Sequence, residues 1–201
     1  WTDADAAPAR RKPEPTSADE AVQYARQAAI NDNDPARATE MAAFAGDHPL
    51  QAWVRYWLLK GRLMEGRADA QGGADADVDA FLRQQGSSAS AEAMRRDWLA
   101  NLGRRGEWAR FEQQYALLTD RDDNALNCLW LQARLQRGDD VAREAMPLVL
   151  RSASPEDVCM DLLERLTAAG KIQPAQLERR LLLSLESNHA ASIRRVLQLM
   201  Q

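Results

Sequence analysis

Glutamate, histidine and cysteine offer most of the reactive chemistry in this sequence, and their spacing limits what they can do. Glu186-Ser187 is the pair closest to a catalytic arrangement, with Gln198-Leu199-Met200 following it. A glutamate that donates a proton must sit in a shielded cleft that raises its pKa. Glu186 instead falls at the C-terminal end of an amphipathic stretch, against the polar turn Ser187-Asn188-His189, so no catalytic role is expected of it. His48 has only His189 for company and no acid at a fixed spacing, which points to a turn or helix cap instead of a base or ligand. The chain has no glycine-rich phosphate loop, no HExxH, no CxxC and no nucleophile elbow, so neither a metal nor a cofactor is expected. Cys128 and Cys159 leave two readings open. They are two buried thiols in a reducing compartment, or a disulfide in an oxidising one, closing a loop whose entropy is worth about 3–4 kcal/mol.

The elements that would position these residues are helices. Ala, Leu, Arg, Glu and Gln dominate while β-branched residues are scarce, and such side chains lose little rotamer freedom in a helix. Residues 1–16 carry three prolines and no periodicity and read as a flexible tail. Ser17 and Glu20 then form a capping box, predicting a helix to about Ile30. Asp34-Pro35 starts a second helix that Gly46 stops. A third covers Leu50 to Met64 with Trp53, Trp57 and Leu58 on one face. Arg67–Ala76 reads as a Gly-, Ala- and Asp-rich connector, followed by a short helix around Val78, Phe81 and Leu82. From Ser90 the expected helices are 90–104, 107–118, 124–136, 141–150, 154–168, 174–186 and 190–200. The Ser154-Pro155-Glu156-Asp157 start combines a cap, a first-turn proline and early acids.

Gly106, Gly138 and Gly170 recur every 32 residues, each after an amphipathic helix. Eight residues before them stand Trp98, Trp130 and Leu162; seven before stand Leu99, Leu131 and Leu163. Each glycine is placed to end its helix in a left-handed conformation so that the next folds back. A period in the thirties with two helices per unit marks a helical solenoid, because one hairpin cannot bury its apolar stripe alone. The expected fold is therefore all-α, a right-handed superhelix of stacked, tetratricopeptide-like hairpins over 17–201. A net charge of −4 argues against nucleic acid as the main partner, and no run of about 20 apolar residues could span a bilayer.

The order of residues along the chain adds a family likeness. The series runs from His48-Pro49-Leu50, Tyr56 and Leu59 through Val78, Phe81 and Leu82 to Met94-Arg95 and Trp98-Leu99. It continues with Trp108, Phe111, Tyr115, Cys128, Ala133 and Gly138, then Pro155, Cys159, Gly170, Arg179-Arg180 and the last helix. This succession resembles the N-terminal superhelical domain of the soluble lytic transglycosylases, periplasmic lyases that cleave murein. The resemblance implies a U-shaped superhelix that closes into a ring beneath a lysozyme-like domain. That domain carries the catalytic glutamate and makes 1,6-anhydro ends without water. It also makes a Cys128–Cys159 disulfide the expected state. Glu186-Ser187 does not match the family's catalytic signature, since no aromatic follows it and Gln198 comes 12 residues later without a glycine-rich turn. The chain is thus expected to be a non-catalytic piece, a fragment or a member that has lost its catalytic part, in contact with glycan strands or cell-wall proteins. A tetratricopeptide-like protein-interaction scaffold with no cell-wall link is the rival expectation.

Overall fold

Ser17 begins the first helix by accepting a hydrogen bond from the Glu20 N–H at 3.2 Å. The expected box is only half made. The Glu20 carboxylate reaches past Ser17 and accepts from the N–H and hydroxyl of Thr16, at 2.7 and 2.8 Å. The N–H of the residue before the cap is thereby satisfied, and those bonds hold the Glu20 carboxyl below its ordinary pKa.

The computed structural model describes residues 13–64, 73–151 and 157–201. Most of the expected tail, most of the connector at 67–76 and the Ser154-Pro155-Glu156 helix start lie outside the described residues. Among the described residues every regular element is helical and there is no strand. Contacts divide the chain into two compact units, residues 1–86 and 87–201, a boundary that the sequence reading did not draw.

In the first unit, α1 (Ala18–Arg26) runs into a single π-helical turn (Gln27–Asn31), so the helix predicted to Ile30 is one element with a wider last turn. It is followed by α2 (Pro35–Ala45), α3 (Gln51–Met64) and α4 (Gly73–Gln85). Ala21, Val22, Ala25, Met41, Ala42, Ala45 and Val54 form the core where α1, α2 and α3 meet. The abundance of alanine there lets helix backbones approach closely. Gly61 of α3 takes this furthest, since a Cβ at that position would stand 3.2 Å from the Ala29 carbonyl oxygen. Trp53 and Trp57 lie on one side of α3 with ring centroids 6.4 Å apart.

The second unit holds α5 (Ala89–Arg105), α6 (Trp108–Ala116), α7 (Asn124–Gln136), α8 (Ala142–Val149), α9 (Asp157–Ala168), α10 (Pro174–Glu186) and α11 (Ala190–Leu199). Helices α5, α7, α9 and α11 pack successively side by side, while α6 packs on α5 and α7, and α8 on α7 and α9. The 32-residue period is visible bond by bond at the hairpin turns. Gly106, Gly138 and Gly170 are all left-handed, with φ of 72°, 98° and 67°. After each, the next N–H reaches back five residues: Glu107 to the Leu102 carbonyl, Asp139 to Arg134 and Lys171 to Leu166, at 3.0, 3.1 and 2.9 Å. These are three Schellman turns, the arrangement that satisfies the last carbonyls of a helix. A fourth follows α10, where Asn188 takes the glycine's place at φ 52° and His189 N–H bonds to Ser184.

The residues aligned by the period fill the core between these helices. Trp98, Leu99, Leu131, Leu162 and Leu163 are buried, while Trp130 is only half-buried. Cys128 and Cys159 belong to one cluster with Leu131, Val141, Ala145, Leu162 and Leu166.

Candidate binding clefts

His189 caps a helix and His48 braces the turn that leads into one. His48 Nδ1 accepts from the Leu50 N–H at 3.0 Å just ahead of α3, and its Nε2 lies 2.7 Å from Asp19 Oδ1. His189 Nδ1 accepts from the Ser192 N–H at 3.3 Å at the start of α11. With Nδ1 committed as acceptor in each ring, the proton of the neutral form sits on Nε2. The two rings belong to different compact units. Glu186 is exposed at the end of α10, beside the left-handed Asn188, with no wall to shield it. Among the described residues, no three His, Cys, Asp or Glu side chains converge on a possible metal position.

The cysteines do come together. Cys128 of α7 and Cys159 of α9 are fully buried and bonded through their sulfurs, with Cα atoms 5.1 Å apart. The disulfide therefore joins two helices that already lie side by side, one in each of two successive hairpins.

Aromatic residues run from α6 to α7. Trp108 meets Phe111 edge-on at 6.1 Å, Phe111 stacks on Tyr115 at 5.7 Å, and Tyr115 stacks on Trp130 at 4.8 Å with rings 8° apart. The Tyr115 hydroxyl donates to Asn127 Oδ1 at 2.6 Å. Burial raises the Tyr115 pKa, which keeps the phenol a donor. Trp130 ends this run and borders a cleft of about 180 Å³ with Asn127, Leu131, Glu144 and Leu148. Glu144 is held there by Arg134 at 2.7 Å, and Arg134 also bonds Asp139 at 3.1 Å. A half-exposed indole beside amide and carboxylate oxygens can stack on an apolar ring face and bond hydroxyls at its rim.

A larger cleft, about 650 Å³, lies between α8 and α10. Met146, Pro147, Leu150 and Ala175 give it an apolar floor, and Arg143 and Arg179 flank it. Sequence reading passed over this cleft. It named Arg179-Arg180 only as a pair, yet neighbours on a helix point about 100° apart. Arg179 accordingly faces out while Arg180 is wholly buried. The Arg180 Nη1 donates to the Val149 carbonyl at 2.9 Å, and its Nε and Nη2 to Ser184 Oγ at 3.3 and 3.1 Å. Ser184 in turn bonds Ser192 at 2.7 Å, so one polar network links α10, α11 and the end of α8. Burial lowers the Arg180 pKa from its ordinary value.

On the α9–α11 side, Arg195 bonds Glu164 and Asp161, both at 2.6 Å, and approaches Asp157 at 3.6 Å. This exposed network pins α11 to α9.

No protein-family model, curated protein or solved structure matches the chain.

Proposed function

We propose that the chain is a non-catalytic superhelical domain of a periplasmic soluble lytic transglycosylase, and that it holds or guides murein glycan strands. The observation that carries this reading is the disulfide. The resemblance implied a Cys128–Cys159 bond, and the two sulfurs are bonded across successive hairpins, in a buried cluster with Leu131, Val141, Ala145, Leu162 and Leu166. Successive packing of α5, α7, α9 and α11 through equivalent turns supports the continuation of these hairpins into a superhelix. A buried disulfide of this kind fits an oxidising compartment such as the periplasm. The half-buried Trp130, with Asn127 and Glu144 at its rim, has the chemistry a pyranose ring needs: an aromatic face for C–H groups and oxygens for hydroxyls.

The resemblance places the catalytic glutamate in a lysozyme-like domain, so in this reading the superhelical domain binds without cleaving. Incubating the protein with purified murein tests this. No muropeptide with a 1,6-anhydro end should be released, and its appearance would refute the non-catalytic reading.

A second reading, a tetratricopeptide-like scaffold for a protein partner, is favoured by one feature. Leu182 and Leu185 on α10, and Leu197 and Met200 near the end of α11, are between 41% and 60% exposed. Exposed apolar residues grouped on one helix pair commonly mark a protein contact. Cross-linking that captures a protein while purified murein fails to bind would favour this second reading.

A further inference from the structure

We infer that the cleft between α8 and α10 is a site for the stem peptide of murein, and not for its sugars. The inference rests on the murein reading for the identity of the peptide; the chemistry of the cleft is independent of it. Its volume, about 650 Å³, lies within the range that accommodates small ligands. Its floor is aliphatic, formed by Met146, Pro147, Leu150 and Ala175, with no aromatic face on which a sugar could stack. Two arginines also line it, Arg143 on α8 and Arg179 on α10, both exposed.

Among the described residues no acid pairs with either arginine. Glu144, the acid adjacent to Arg143, is drawn off to Arg134 at 2.7 Å. Gln176, which also lines the cleft, spends its Oε1 on the Gln173 N–H at 2.8 Å. Pro147 adds a third feature. Inside α8 it has no N–H to give to the Arg143 carbonyl, so that oxygen loses its usual helical donor. Two cations across an apolar floor, beside a carbonyl short of a donor, match a short peptide with carboxylates spaced along small methyl side chains. The stem peptide, in which alanines flank adjacent acid-bearing residues, has that make-up. Each carboxylate would accept paired N–H bonds from a guanidinium, a geometry that arginine favours.

The test uses the whole chain, the free stem tetrapeptide and glycan strands stripped of their peptides, with binding followed by calorimetry. The double variant R143E/R179E replaces two exposed side chains, and its circular dichroism and melting should match those of the parent. Tetrapeptide affinity should fall at least about tenfold in the variant and weaken with added salt, while stripped strands bind both proteins alike. Equal tetrapeptide binding by the variant, or strands binding where the tetrapeptide does not, would overturn this site and leave the murein reading standing. Failure of both probes to bind the parent protein would overturn both.

Discussion

Cys128 and Cys159 carry stability as well as the functional reading. Their bond closes a loop of sequence separation 31 within a fully buried cluster. Reducing it, or replacing both cysteines by alanine, should cost about 2–4 kcal/mol in urea unfolding, because the open chain regains the entropy the bond removed. A double alanine variant as stable as the parent would show that α7 and α9 are held by packing alone. Arg180 offers a second residue-scale expectation. Truncating it to alanine removes a buried guanidinium and strips partners from the Val149 carbonyl and the Ser184 hydroxyl. A loss of about 2–4 kcal/mol should follow, combining the volume lost with the polar atoms left unsatisfied. The adjacent Arg179→Ala, on the exposed side of α10, should leave the melting temperature nearly unchanged. That contrast could not be read from two consecutive arginines in the sequence; it depends on which side of α10 faces Val149.

At the scale of elements, the hairpin turns dominate. Gly138 has φ 98° and open space around a would-be Cβ. Gly138→Ala therefore meets no steric neighbour, and its cost is conformational, about 1–2 kcal/mol. Gly138→Asn should cost less, because asparagine tolerates this region, as Asn188 does in the fourth turn. Thermal melts of the two variants would separate these cases. The same turn carries a pH dependence. Hydrogen bonds from Arg137 and then Arg134 hold the Asp139 carboxyl below its ordinary pKa. A carboxyl depressed in the folded state contributes stability above its unfolded pKa, about 3.9, and that contribution is lost as pH falls through the folded value. The parent should thus weaken below about pH 4. Asp139→Asn should be less stable at pH 7 and flatter in acid, as measured by urea midpoints at pH 7 and pH 3.

Element boundaries were legible because strong local signals agreed: Pro35 and Pro174 at first helical positions, and glycines at the ends. Spacing alone placed Gly106, Gly138 and Gly170 at equivalent turns. The reading went astray where a side chain had two possible targets, as with Glu20, which reaches Thr16 and leaves the Ser17 box half-made. The π-helical turn at 27–31 also carried no signal, since nothing in its composition separates it from an α-helical turn. Pro147 lies inside α8 and does not end it.

At the scale of the whole molecule, the period that aligns the turns of the second unit also makes its interfaces alike. Two unlike clefts lie along this unit, one at Trp130 and one between α8 and α10. Neither cleft was visible in the sequence, because each is lined by helices that the chain separates by a turn or by a further helix. The all-α class followed from composition and periodicity; the binding surfaces depend on side-chain direction, which periodicity leaves open. In the proposed reading several weak sites act together on one polymer, and affinity should grow with its length. The decisive measurement is binding of the intact chain to glycan strands of defined length, with recovery of the strands afterwards. The account predicts affinity that rises with strand length and strands returned uncut. Absence of binding at every length, or strands returned shortened with 1,6-anhydro ends, would contradict it.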